Sequence, residues 1–456
     1  MLLVGGGTLA ACAVESCGNV SPVLGSVGGL GLRLVGAGAV VVGFAAAAGP
    51  AAAADADATL FSTDVAPILM RHCVGCHRPG QIAPMSLLTY REARPWARSI
   101  RRVVVNGEMP PWFANPEHGV WANDARLSKD EIETIAAWVD SGALPGDPAL
   151  MPEPPRFRDG WQVGEPDYVV ELPPVTVPAN GPDLVPTQLV RLDIPERRWV
   201  RAVEFQPGDR TVNHHQIVFR GGFSGTGSPG GEERPVGDRQ RGEAGTVDVN
   251  IFAVWAAGAA PTVFPDGAGR WVDPGGLLMV NQHYHPNGDS ERTDRTRIGL
   301  YFGEGPLEIE VEAIFASRMD FTTPAGAPNH RVVTRHELGK DSRIVSYFPH
   351  MHMRGRAMSF IAVYPDGSRE ILLDVPEYDF DWQLFYYPEA PHLLPAGSVV
   401  EVVAHYDNSA ANPYNPDPTR DVGFGFRSTD EMMVGIFELI EVGPGESAES
   451  VPTGGK

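Results

Sequence analysis

The chain has 456 residues, of which 43% are hydrophobic and 20% charged, which is the composition of an ordinary globular protein with room for about three domains. Its formal net charge of −21 argues against nucleic acids and anionic membrane surfaces as partners. The 52 glycines and 42 prolines favour turn-rich, all-β architecture over long helices.

Residues 1–57 are predicted to be a signal or targeting region. Arg33 precedes an apolar run, residues 34–48, and small residues suited to signal cleavage follow. The run is short for a membrane span, so we expect a periplasmic or secreted bacterial protein without stable membrane insertion. An uncleaved leader would leave the protein membrane-anchored. Because Cys12 and Cys17 lie in this region, the mature chain keeps only two cysteines.

Those two cysteines stand in "RHCVGCHRPG". Cys73 and Cys76 are followed at once by His77, which gives the pattern C-x-x-C-H. A zinc site or a redox dithiol needs no histidine at that place, whereas covalent haem c needs two thioethers and the adjacent imidazole as an iron ligand. Haem c is attached outside the cytoplasm, so this motif agrees with the predicted leader.

Three helices are predicted around the motif, within residues 58–146. The first is "FSTDVAPILMRHC" and the second lies in "LLTYREARPWARSIRRVVVNG". In the third, "LSKDEIETIAAWVDSG", Ser128 and Glu131 form a capping box and Gly142 supplies the stop. This region resembles a class I cytochrome c domain.

The cytochrome c resemblance implies a second axial ligand to the iron. Met109 in "NGEMPPW", 32 residues after His77, is the candidate. Met85 is the alternative, but only eight residues separate it from His77. Ligation by His and Met suits electron transfer.

The rest of the chain is predicted to be β structure. A proline-rich linker, residues 147–167, leads to short alternating runs such as "LVRLDIP" and "SVVEVVAHYD". We expect two β-sandwich domains, residues 168–304 and 305–443, and a flexible tail, residues 444–456. The predicted fold is therefore multidomain, with a small all-α domain before two all-β domains.

Six histidines of the β region occur in three close pairs. The pairs are His214 with His215 in "NHHQIVF", His283 with His285 in "NQHYHPNG", and His350 with His352 in "FPHMHMRG". An H-x-H pair on a strand puts both imidazoles on one face. Imidazole is the commonest protein ligand for copper and zinc, and a thioether from Met432 or Met433 in "STDEMMVG" favours copper.

The order His-His, "QHY", H-x-H and "DEM" resembles the copper type II, ascorbate-dependent monooxygenases. The resemblance extends from "DYVVELPPVTVP" to "MMVGIFEL". It implies two jelly-roll domains, each with one copper ion, facing each other across a solvent-filled cleft. It also assigns three ligands to each ion. They are His214, His215 and His283 for the electron-transfer copper, and His350, His352 and Met432 for the copper that binds O2.

The departures from that family change the expected substrate and reductant. Phe348, Val434 and Ile436 stand where the peptide hydroxylase has an arginine, an asparagine and a tyrosine. We therefore expect a small, rather apolar substrate instead of a peptide carboxylate. The fused haem domain predicts electrons from a periplasmic or respiratory donor, passed through haem to the first copper. The alternative is a non-catalytic copper and haem protein for electron transfer or copper handling.

Overall fold

Helices occupy only the N-terminal part of the chain that is described here. The computed structural model describes residues 58–158, 160–221 and 250–442. The predicted leader with its two cysteines and the predicted tail lie outside these ranges. The described residues belong to one compact unit, and none of their helices is long and apolar enough to cross a membrane.

The helical segment is built around the predicted motifs. In the described residues its α-helices are α1 Ala66–His72, α2 Tyr90–Ala93, α3 Ala97–Val105 and α4 Lys129–Asp140. The capping box that starts α4 is confirmed, because Ser128 Oγ accepts from the N–H of Glu131 and the Glu131 carboxylate accepts from the N–H of Ser128. Phe61, Ile135 and Trp138 are fully buried between the helices.

Strands make up most of the chain beyond residue 167. In the first part they are β1 Tyr168–Glu171, β2 Val175–Val177, β3 Thr187–Arg191, β4 Arg198–Gln206, β5 Asn213–Arg220, β6 Asn250–Ala256, β7 Thr262–Val263, β8 Ala268–Val272, β9 Leu277–Tyr284, β10 Arg292–Asp294 and β11 Arg297–Phe302. In the second part they are β12 Ile309–Ser317, β13 Thr322–Thr323, β14 His330–Glu337, β15 Ser342–His350, β16 Gly355–Val363, β17 Arg369–Val375, β18 His392–Leu394, β19 Val399–Tyr406, β20 Val422–Gly423 and β21 Val434–Glu441.

Strand pairing in the described residues gives one long sheet, two small four-stranded sheets and two strand pairs, β2 with β10 and β13 with β20. The long sheet has the order β1-β11-β4-β8-β12-β21-β15-β18, with β7 attached to β4. Its two parts join where β8 and β12 pair in parallel, Ala268 opposite Ile309. The first small sheet has the order β3-β9-β5-β6, and the second has the order β14-β19-β16-β17.

Each small sheet packs against one part of the long sheet. Val203 of β4, Phe252 of β6 and Val280 of β9 share one buried core. Phe360 of β16 and Phe437 of β21 belong to the other. Pairs of facing sheets therefore form the β region, and the prediction of a mostly-β chain is confirmed. That each pair is a separate domain, with a boundary near residue 304, stays a prediction.

A further apolar layer joins the two pairs of sheets. The outer face of the first small sheet, with Ile217, Phe219 and Met279, packs against Phe348 and Ile436 of the long sheet. Burial of apolar surface stabilises this contact. His215, His283, His350 and His352 line a cavity beside this layer.

The helical segment is held against the second part of the β region. Asn115 donates its backbone N–H to the carbonyl of Asp374 at 2.8 Å and its side-chain amide to the carboxylate of Asp374 at 2.9 Å. The N–H of Tyr387 donates to the side-chain oxygen of Asn123 at 3.1 Å, and Trp121 is buried in the core of this part.

Candidate metal centre

Three histidines converge on one face of the first small sheet. His214 and His215 are neighbours on β5, and His283 lies opposite His215 on β9. Neighbouring residues of a regular strand face opposite sides of a sheet. The β5–β9 pairing, however, shifts register between Asn213 and His215, and a bulge of this kind re-aims a side chain. We call these three histidines the first cluster.

The Nδ1 atoms of the first cluster face one another. Nδ1 of His215 lies 3.1 Å from Nδ1 of His214 and 3.4 Å from Nδ1 of His283. Nitrogens bound to one ion at about 2.0–2.1 Å each are about 3.3–3.6 Å apart in tetrahedral or trigonal geometry. Burial, reinforced by the neighbouring imidazole of His283, lowers the pKa of His214 to about 3 and holds that of His215 well below its ordinary value. Neutral imidazoles at this spacing fit a metal ion.

A carboxylate determines which nitrogen of His283 faces the cluster. Asp183 Oδ2 accepts from Nε2 of His283 at 2.7 Å, and Asp183 Oδ1 accepts from Nδ1 of His285 at 2.8 Å. Because Nε2 of His283 carries the proton, its lone pair lies on Nδ1. Ser428 Oγ also donates to Asp183, at 2.7 Å. Burial favours a higher pKa for Asp183, but the hydrogen bonds from His283, Ser428 and His285 outweigh it and hold the pKa below its usual range.

We therefore expect Asp183→Asn to weaken metal binding at the first cluster by about 10- to 100-fold, the usual cost of losing the partner that orients a ligand. Competition with a chromophoric chelator measures this. Asp381→Asn is the matched control, since the carboxylate of Asp381 is exposed and lies 3.9 Å from Nε2 of His214, beyond hydrogen-bond distance. Equal dissociation constants for the two variants would show that Asp183 does not orient His283.

The second cluster consists of His350, His352 and Met432. His350 ends β15, His352 follows it in a turn, and Met432 lies just before β21. Nδ1 of His350 donates to Gln383 Oε1 at 2.7 Å, and Nδ1 of His352 donates to the carbonyl of Asp430 at 3.3 Å. Each ring therefore has its lone pair on Nε2. All three side chains line one cavity.

The surroundings of the second cluster keep its imidazoles neutral and its turn in place. Burial lowers the pKa of His350 to about 4 and that of His352 well below its ordinary value. The carboxylate of Glu431, next to Met432, accepts from the backbone N–H groups of His352 at 3.1 Å and of Arg354 at 2.7 Å. Two neutral imidazoles and a soft thioether are a ligand set that fits copper.

The two clusters lie next to each other. The ring centroids of His215 and His350 are 5.4 Å apart. Phe380 stacks on His214 at 5.2 Å and approaches His352 at 6.3 Å, so one side chain covers both clusters. The family resemblance implies a solvent-filled cleft here. The structure differs because the apolar faces of the first small sheet and the long sheet are in direct contact.

A cavity of about 40 Å³ lies between the clusters. Ile217, Phe219, Phe315, Phe424 and Val434 form much of its wall. In the described part of the chain no lysine, arginine, aspartate or glutamate lines it. A molecule bound there therefore meets apolar side chains and imidazoles, and finds no partner for a charged group.

The residues of the C-x-x-C-H motif lie at the end of α1. Cys73 and Cys76 are half-buried and unpaired. Burial raises the pKa of the Cys73 thiol to about 12, whereas a redox dithiol needs a lowered thiol pKa. Nδ1 of His77 is buried and has no hydrogen-bond partner among the described residues. Neutral thiols beside an unpaired imidazole fit covalent haem better than a redox dithiol.

The C-x-x-C-H motif also lies beside the loop after β6. A Cβ atom on Gly258 would lie 3.4 Å from Sγ of Cys76. One residue earlier, the N–H of Ala257 donates to the carbonyl of His214 at 3.1 Å. A short piece of backbone therefore connects the motif with the first cluster.

The other candidate ligands lie in different surroundings. His285 is exposed, and Met433 is fully buried in the core away from the cavity that Met432 lines. Met109 is half-buried in the loop after α3, where its N–H donates to the carbonyl of Val103 at 3.2 Å. Met109 as an axial ligand stays a prediction, with Met85 as the alternative.

Most of the residues that orient the ligands carry no signal in the sequence. Asp183, Phe380 and Gln383 are remote in sequence from the histidines that they contact, and no local pattern marks them. Glu431 does have a local signal, because it directly precedes Met432 in "DEM".

Comparisons with known proteins do not assign the chain to a family. No family model and no curated protein matches it. Among solved structures, the major capsid protein P2 of bacteriophage PM2 aligns with 60% of this chain and 98% of its own, at 8% identity and a TM-score of 0.23. A structure of infectious bursal disease virus, Gx strain, aligns with 63% of this chain and 84% of its own, at 7% identity and a TM-score of 0.17. TM-scores of this size carry no argument about function.

Proposed function

We propose that the chain is an exported haem- and copper-dependent monooxygenase that hydroxylates a C–H bond of a small organic substrate with O2, with electrons passing from haem c to the first-cluster copper and then to the second. The observation that supports this most is that two clusters of possible metal ligands, with different ligand sets, lie beside one apolar cavity. Three imidazoles suit an ion that only exchanges electrons. Two imidazoles and a weak thioether leave a position open for O2.

The chain has side chains that can hold the copper ions and the haem that this function needs. When bound, copper would supply O2 activation and haem c would supply electrons from a periplasmic or respiratory donor. Asp183 and Gln383 hold the rings of His283 and His350 in the required orientation. In this proposal the helical segment is a cytochrome c domain and each pair of facing sheets is a jelly-roll domain.

The cavity supports a neutral, apolar substrate. Its apolar wall and its lack of charged lining among the described residues disfavour peptides and carboxylates. At about 40 Å³ it is far smaller than the roughly 150 Å³ of an apolar cavity that holds benzene. The apolar layer between the sheets must therefore open, at least locally, to admit an organic molecule.

The haem part of the proposal has a spectroscopic test. Met109→Ala should abolish the methionine–iron charge-transfer band of the oxidised protein, because no thioether then reaches the iron. Met85→Ala is the matched control and should keep the band. Loss of the band in Met85→Ala alone would assign the axial position to Met85.

The catalytic part is tested by O2 uptake. The copper- and haem-loaded protein is fully reduced and supplied with an excess of an electron donor, because each hydroxylation consumes two electrons. O2 consumption is then followed with and without members of a library of small neutral molecules. We expect uptake to continue past reoxidation of the bound metals only when an apolar molecule with an accessible aliphatic C–H bond is present. Uptake that stops at metal reoxidation with every compound would favour the second candidate function.

That second candidate is a non-catalytic electron-transfer or copper-handling protein. The observation in its favour is the closeness of the clusters, since ring centroids 5.4 Å apart suit electron exchange without any substrate between them. An electron carrier needs neither the open coordination position beside Met432 nor the apolar cavity.

A further inference from the structure

The hydroxyl of a buried tyrosine outside both clusters is hydrogen-bonded to a histidine ring. Tyr347 lies on β15, is fully buried, and its hydroxyl is 2.6 Å from Nδ1 of His392 on β18. The strand also carries His350, three positions further on, a distance of about 10 Å along an extended chain. The side chain of Tyr347 points into the second core, on the opposite side of the strand from the clusters.

Tyr347 ends a series of aromatic side chains in contact. Its ring centroid lies 6.1 Å from Trp121, which lies 5.6 Å from Tyr386, which lies 5.0 Å from Trp112. All four are buried. Trp112 stands three residues after the candidate haem ligand Met109, so the series extends from the haem-ligand loop to the strand that carries the second cluster.

We propose that Tyr347 is a redox-active side chain with His392 as its proton acceptor, which gives up an electron to a strong one-electron oxidant formed at the neighbouring metal site. In this step the Tyr347 O–H bond breaks and the proton moves to Nδ1 of His392. The electron goes to the oxidant, whose oxidation state falls by one. The products are a neutral tyrosyl radical and an imidazolium. An electron from the haem that the helical segment would hold returns through Trp112, Tyr386 and Trp121, and the proton returns from His392, which restores the phenol. That such an oxidant forms at the metal site rests on the proposed function.

The position of His392 suits a proton acceptor. It lines an open cleft of about 490 Å³ together with Glu370 and Glu389. Burial lowers the pKa of His392, and the carboxylate of Glu370 acts in the opposite direction. The buried hydroxyl of Tyr406 instead donates to the backbone carbonyl of Met432 at 2.7 Å, and a carbonyl does not take up the proton. A phenol hydrogen-bonded to a base loses its electron and proton together, without a charged intermediate.

The test supplies the oxidant from outside, so that it does not depend on monooxygenase activity. The full chain, with its haem and copper oxidised, is treated with flash-generated tris(bipyridine)ruthenium(III) and frozen for EPR. We expect a neutral tyrosyl signal in the parent protein and in the matched control Tyr406→Phe. Tyr347→Phe keeps the ring in its packing and should lose that signal.

His392→Gln provides the second readout. It should keep the fold, since His392 is half-buried at a sheet edge, but it should lower the radical yield and remove the g-tensor shift that a hydrogen bond from imidazolium causes. An undiminished signal in Tyr347→Phe, or an unchanged yield and g-tensor in His392→Gln, would overturn the proposal. A radical without any O2 uptake in the earlier experiment would leave Tyr347 redox-active and reject only the monooxygenase function.

Discussion

His283→Ala should leave the chain with one bound copper ion instead of two, whereas His285→Ala should leave it with both. The two histidines stand two residues apart and both contact Asp183, but His283 lies on β9 and His285 lies just beyond it. Nδ1 of His283 lies 3.4 Å from Nδ1 of His215, while the ring of His285 is exposed and contacts Asp183 from outside. Losing an orienting partner costs 10- to 100-fold in affinity, so losing a ligand should cost more than about 100-fold.

Copper per chain, measured by elemental analysis after dialysis against a weak chelator, checks this expectation. The haem spectrum serves as the internal control for folding in both variants. Should His285→Ala lose an ion and His283→Ala keep both, the assignment of ligands carried over from the family resemblance fails at this residue.

Met432→His should keep or strengthen copper binding at the second cluster while it lowers hydroxylation by at least about 100-fold, equivalent to about 2.7 kcal/mol in the activation barrier. A third imidazole binds copper more firmly than a thioether, and it removes the soft ligand that favours Cu(I). The second cluster would then have the ligand set of the first, which in this proposal only exchanges electrons. The side chain lines the cavity together with His350 and His352, so a histidine there can reach the same ion.

The matched control is the neighbouring methionine. Met433 is fully buried in the second core, and Met433→Leu conserves its volume, which usually costs less than about 1.5 kcal/mol of stability. It should leave copper binding and turnover close to those of the parent. Full turnover by Met432→His would show that the thioether takes no part in the O2 site.

Local features of this fold could be predicted from the sequence because their causes are local. Ser128 and Glu131 stand three apart and form the capping box that the pattern indicates. The alternation in "SVVEVVAHYD" corresponds to β19, which runs antiparallel to both of its neighbours. Such features depend on the types and spacing of side chains within a few residues, so they can be recognised directly in the sequence.

The geometry of the clusters depends on contacts that no local sequence pattern predicts. Strand periodicity alone would put His214 and His215 on opposite faces, and only the bulge in β5 brings them together. Asp183 reaches His283 across a hundred positions of sequence. The closed layer between the clusters follows from apolar faces, including Ile217 and Phe348, whose meeting depends on the parallel junction of β8 with β12.

The most direct test of the central claim is the fate of isotopically labelled O2. The reduced, copper- and haem-loaded chain is supplied with labelled O2, an electron donor and an apolar substrate found in the uptake screen, and the product is analysed by mass spectrometry. We expect one labelled oxygen atom in each hydroxylated molecule, and at least about 100-fold less labelled product when the second cluster carries Met432→His. Labelled O2 that is reduced without entering any organic product would contradict this expectation and would identify the chain as an electron carrier.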